Sequence, residues 1–110
     1  MTFDEYTNNA LRTRNHNLEG WSEHIQHSIF MLCSEVGEIA GPYQKFFFQG
    51  HNLPEPETVA KEIGDCLWAL NNLADLIGYS LEEIAEMNIE KLRKRYGEQF
   101  SVEGSINRNV

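Results

Sequence analysis

Apolar residues recur at helical spacing through most of the chain. Ile25, Ile29, Leu32, Val36 and Ile39 follow one another in steps of four, three, four and three, which predicts a buried stripe on a helix over about residues 21–48. Gly41 and Pro42 should bend or interrupt that helix, since proline lacks the amide proton and clashes with the preceding turn, with residues 43–49 continuing it beyond the kink. Gly50 to Pro54 reads as a turn, and Pro54 and Pro56 prepare the next helix. Val59, Ile63, Leu67, Leu70, Leu73, Ala74 and Ile77 form a second stripe, which predicts a helix over about 57–77 closed by Gly78. Ser80 and Glu83 have the spacing of a capping box and open a helix over about 80–96, with Gly97 as its stop. A weaker helical pattern covers about 2–14 and runs into the polar loop Asn15, His16, Asn17. Strand-like alternation survives nowhere except in the short tail after Phe100. The expected fold class is therefore all-α, a four-helix, bundle-like single domain over residues 1–110.

Composition narrows the function. With 41% hydrophobic and 24% charged residues the chain has the balance of a soluble globular protein. Its apolar runs, such as Ile29 to Cys33, are far too short to span a bilayer. The N-terminus has neither a basic nor an apolar leader segment, so the expected location is the cytoplasm. A net charge of −8 argues against nucleic-acid or membrane binding, both of which draw on dense Lys and Arg surfaces. A polyanionic substrate would need a metal or a local basic patch. Cys33 and Cys66 sit singly in apolar helical runs, without CxxC spacing, and read as reduced core thiols.

Two pairs of acids change the picture. Glu35 and Glu38, and again Glu62 and Asp65, stand three residues apart on predicted helices, so each pair directs its carboxylates into one space. Acids at this spacing are common on solvated helix faces. These pairs, however, border the apolar stripes, and each encloses a glycine, Gly37 or Gly64, which costs up to about 1 kcal/mol inside a helix unless another helix or a ligand comes close. Antiparallel packing of the two helices would bring the four acids together, and such a cluster needs protons or metal. All-oxygen ligands favour Mg²⁺ first and Mn²⁺ second. A di-iron bundle would place His at the fourth position of each pair, where this chain has Glu38 and Asp65.

The pattern Glu35-x-x-Glu38, a gap of 23 residues, then Glu62-x-x-Asp65 resembles the signature of the MazG-like, all-α nucleotide pyrophosphohydrolases. The resemblance extends through residues 61–68 (KEIGDCLW), residues 81–96 (LEEIAEMNIEKLRKRY), Lys45 and the segment Phe48 to His51, and covers about residues 20–100. It departs at Gly41 and Pro42, where relatives continue a helix. It implies hydrolysis of a nucleoside triphosphate to the monophosphate and pyrophosphate, with Glu35, Glu38, Glu62 and Asp65 as Mg²⁺ ligands and catalytic groups. Asn88, Lys91 and Arg95 match the family's Asn-x-x-Lys-x-x-x-Arg pattern, and helical geometry independently sets them on one polar strip beside Leu81, Ile84 and Leu92. Lys91 and Arg95 are the candidates for phosphate contacts, with Asn88 orienting substrate or a metal ligand. His27 falls where the family often places a residue near the nucleotide. Trp21, Trp68 and Phe46 to Phe48 are candidates for stacking on a base or for the core, and Lys45 and His51 for closing over phosphates.

Apolar stripes this wide on 110 residues leave surface that one chain cannot cover, so a homodimer or homotetramer is expected. Two other functions fit less of the pattern. One is a related hydrolase of dUTP and dUDP, and the other a non-catalytic helical interaction module.

Overall fold

The computed structural model describes residues 1–15, 17–97 and 99–107, and its regular structure is helical, with no strand among the described residues. Five helices follow one another among the described residues: α1 (Phe3–Leu11), α2 (Gly20–Gln49), α3 (Pro56–Leu76), α4 (Leu81–Tyr96) and α5 (Val102–Ile106). Among the described residues no helix is long and apolar enough to cross a membrane.

Local chemistry sets the boundaries. The Thr2 hydroxyl accepts the amide of Glu5 and starts α1, which ends at Leu11, three residues short of the expected end. His16 of the following polar loop lies outside the described residues. Pro42 sits inside α2 and does not interrupt it. Losing one amide donor is tolerated because intact turns flank the proline on both sides. Gly50 ends α2 at φ +74°, a conformation that suits glycine, and the next amide, of His51, closes on the Lys45 carbonyl. Pro56 opens α3, where its missing amide costs nothing. The capping box forms as expected, with the Ser80 hydroxyl accepting the Glu83 amide and the Glu83 carboxylate accepting the Ser80 amide, both at 3.1 Å. In the tail after Phe100, the one place where strand alternation survives in the sequence, Val102–Ile106 is helical, and residues 108–110 lie outside the described residues. Ser101 caps α5, and Gly104 packs so closely that an added Cβ would fall 2.5 Å from the Arg95 carbonyl oxygen.

The α2 and α3 helices make the main contact and run antiparallel. At one end the Trp21 indole N–H donates to the Leu76 carbonyl at 2.7 Å, and fourteen residues further along each helix Glu35 meets Glu62. The α1 helix crosses α3 and is fastened by polar contacts. Thr7 donates to Asn71 at 2.9 Å, Trp68 donates to Thr13 at 2.7 Å, and Arg14 pairs with Asp75 at 2.9 Å. The α4 helix touches α1, α3 and α5, and does not pack against α2.

Apart from Leu81, the buried residues among those described are small or polar: Ala10, Ser28, Ala69, Asn71, Asn72 and Ala74. The stripes expected to be buried are only half covered, with Ile29, Val36, Ile63, Leu70 and Ile77 all more than two-fifths exposed. Cys33, expected in the core, is exposed as well, and both cysteines are free thiols. The physical reason is the open arrangement: the radius of gyration is 17.2 Å, against about 13 Å for a compact domain near this size. Apolar periodicity marks the faces to be covered, and among the described residues the helices of one chain cover them only in part.

Candidate metal centre

The antiparallel pairing of α2 and α3 places the acids. Glu35 projects from the middle of α2, while Glu62 and Asp65 project from neighbouring turns of α3. One carboxylate oxygen from each of the three lies within 4.8 Å of the other two. Glu35 and Glu62 are half-buried and Asp65 is exposed, so the cluster opens to solvent on one side. Glu38 lies outside this tight group, although its charge reaches Glu62.

The electrostatics follow from crowding. Loss of solvent first, then the charges of Asp65, Glu38 and Glu35, and finally a hydrogen bond to Glu35 hold the Glu62 carboxyl above its ordinary range. The Cys66 thiol is pushed up in the same way, by burial and then by Glu35, Asp65 and Glu62. On the α1 side, burial and the Asp65 charge raise the Tyr6 phenol. Crowding that raises the proton affinity of Glu62 is what a cation could relieve, since its charge could replace the proton. The all-oxygen donor set fits Mg²⁺ or Mn²⁺.

The enclosed glycines gain a sharper meaning. An added Cβ at Gly37 or Gly64 would meet nothing within 4 Å. Close approach of another helix of the same chain therefore does not account for either, and both leave open space beside the acids.

The remaining candidates are distributed unevenly. His27 is half-buried on α2, and Lys45 is exposed on the same α2 face as Glu38, two turns further on. His51 is exposed just beyond Gly50. Trp21 is tied by its indole to the far end of the α2–α3 seam, about 20 Å along the helix from Glu35. Trp68 is half-buried, one turn past Asp65, and its indole N–H is taken by Thr13. Phe46 packs edge-to-face on Phe47 at 5.0 Å, while Phe47 and Phe48 are largely exposed. Asn88 and Lys91 are exposed on α4, and the Arg95 guanidinium lies over the Tyr96 ring at 5.8 Å. Because α4 does not pack on α2, the polar strip and the Glu35 side of the cluster are not brought together within one chain.

Sequence reasoning passed over two features that border the site. Tyr6 belongs to a helix with a weak periodic signal, and nothing in its spacing links it to Asp65. Asn71 and Asn72 look like ordinary polar positions, yet they are almost wholly buried at the α1–α3 crossing, where Asn71 accepts from Thr7 and the Asn72 carbonyl accepts from Arg14.

A family model described as the MazG nucleotide pyrophosphohydrolase domain matches residues 24–100, which include all four acids and the polar strip of α4 but not α1. No curated protein and no solved structure matches the chain.

Proposed function

Since the chain belongs to the MazG nucleotide pyrophosphohydrolase family, we propose that it hydrolyses nucleoside triphosphates to monophosphates and pyrophosphate in a Mg²⁺-dependent reaction. The observation that carries this reading is the meeting of Glu35, Glu62 and Asp65 within 4.8 Å across two helices. When bound, Mg²⁺ would supply charge neutralisation for the triphosphate and acidify a coordinated water. Glu35, Glu62 and Asp65 are the proposed ligands. Glu38, outside the tight group but close enough for its charge to reach Glu62, is the proposed acceptor for the proton of the attacking water. The bond that breaks is the α–β anhydride, and pyrophosphate carries its electron pair away.

Negative phosphates entering an acidic cluster also need cations from the protein. Lys45 lies on the Glu38 face of α2, and its long side chain can reach toward the cluster. Lys91 and Arg95 stand on α4, which one chain keeps away from α2. We therefore place them in the site through a second copy of the chain, in a homodimer or a homotetramer built from dimers. The half-exposed apolar faces of α2, α3 and α4 support this assembly. Cytoplasmic nucleotide pools are the natural supply of such a substrate.

The test is an assay of the common ribo- and deoxyribonucleoside triphosphates, together with dUTP and dUDP, with Mg²⁺ and with chelator. Pyrophosphate release that requires Mg²⁺ is the expected result. Release of phosphate from dUDP would instead assign the dUTP and dUDP hydrolase reading. Silence on every nucleotide would leave a non-catalytic helical module.

A further inference from the structure

The first turn of α1 and the side of α3 enclose a cleft that the acids and the polar strip leave unused. Met1, Thr2, Phe3, Tyr6 and Leu67 line it, and its volume is about 270 Å³. That lies just under the range of roughly 300–1,000 Å³ for sites that hold a whole small molecule, which suits part of a ligand better than all of it. The walls are pre-formed, because Thr7–Asn71, Thr13–Trp68 and Arg14–Asp75 fix α1 on α3. Leu67 is two residues beyond Asp65, and Tyr6, which lines the cleft, stands close enough to Asp65 to feel its charge.

Charge decides which end of a nucleotide could enter. Asp4 and Glu5 occupy the first turn of α1, and Glu82 of α4 stands close enough to Asp4 for the two carboxyls to act on each other. These acids repel phosphate. An uncharged ring meets Phe3, Tyr6 and Leu67, two aromatic faces and one aliphatic one, with a hydroxyl at the Asp65 side.

We propose that this cleft is the nucleobase subsite, in which Phe3 and Tyr6 stack on the base while the triphosphate extends past Asp65 to the carboxylates. The inference rests on the pyrophosphohydrolase reading, and it adds α1 to the site as the element that holds the base. Stacking tolerates every base, so the cleft supplies affinity for nucleotides over bare polyphosphate and little choice among bases.

The test compares the wild-type chain with Phe3→Ala, Phe3→Leu and Tyr6→Leu, each checked for helicity by circular dichroism. Phe3→Leu keeps the bulk and removes only the aromatic face, so it decides the point if the alanine variant is unstable. Loss of one stacking ring should raise KM for the nucleoside triphosphate by about tenfold. The inhibition constant of inorganic tripolyphosphate, which has no base, should stay as in the wild type. So should the Mn²⁺ affinity measured by calorimetry. An unchanged nucleotide KM in all the variants overturns the proposal. An equal loss for tripolyphosphate also overturns it, because the aromatic residues would then act on the phosphate end. If the wild-type chain hydrolyses no nucleotide, the pyrophosphohydrolase reading fails separately. Calorimetric binding of a non-hydrolysable triphosphate analogue with Mn²⁺ to the wild-type and Phe3→Leu chains then decides the cleft by the same tenfold criterion.

Discussion

The α2–α3 seam and the α4 helix are both amphipathic and both well specified by sequence, yet one chain brings the acids of the seam together and leaves the polar strip of α4 apart. In the seam, antiparallel pairing brings three acids from two helices within 4.8 Å of one another. The α4 helix is started locally by its Ser80–Glu83 capping box and joined to α3 by a short turn. Its apolar side leaves a cavity of about 160 Å³ lined by Leu70, Leu73, Ala74, Ile77, Leu81 and Ile84, and Met87 and Ile89 are more than half exposed. The difference teaches that one chain brings the acids of two helices together, whereas it keeps the polar strip of α4 away from α2, so the proposed role of those cations turns on how chains come together.

The largest effect should come from breaking the seam's chemistry. Glu62→Gln keeps the shape of the side chain but removes a ligand charge, and should lower kcat on the order of a thousandfold. Steady-state kinetics would measure this, with circular dichroism verifying that the helices remain.

A smaller effect sharpens the comparison by asking which chain supplies the cations. Glu35→Gln and Lys91→Ala chains should each be nearly inactive alone. If α4 acts across the interface, co-refolded mixed dimers restore one intact site each, and activity returns to about a quarter of the wild-type level. Acids and Lys91 working within one chain would give no recovery on mixing.

The smallest effect is the pH dependence of the seam itself. The Glu62 carboxyl is held above its ordinary value of 4.5, so the folded state binds its proton more tightly than the unfolded chain does. Its stabilising contribution is then complete below the unfolded value and lost as pH rises through the raised folded value. In chelator, thermal unfolding of the wild-type chain should move to lower temperature across that window. Glu62→Gln should flatten the change. Divalent metal should reverse it, because metal affinity rises as the ligands lose their protons.

Much of this was legible in the sequence, and the failures are physical ones. Three- and four-residue steps fixed α2 and α3, and the capping box marked the start of α4, because these signals are local. Pro42 suggested a bend or break, but a proline deletes one backbone bond and a thirty-residue helix carries on around it. Ile29, Val36 and Ile63 marked faces that need a cover, but periodicity does not say which chain provides it. The acid pairs were visible by spacing alone. That Glu35, Glu62 and Asp65 form the tight group while Glu38 stands outside depends on helix rotation across the seam, which spacing within one helix does not encode. The fastening of α1 by Thr7, Thr13 and Arg14 joins residues more than fifty positions apart. No local pattern announces contacts of that kind.

In the proposed function, one chain presents a divalent-metal site at the α2–α3 seam. Calorimetric titration of Mn²⁺ into the wild-type chain, Glu62→Gln, Asp65→Asn and the α4 surface variant Glu90→Gln tests it most directly. Saturable binding to the wild-type chain and Glu90→Gln, weakened at least about tenfold in both seam variants, is the predicted result. Equal affinity in all four proteins would contradict it.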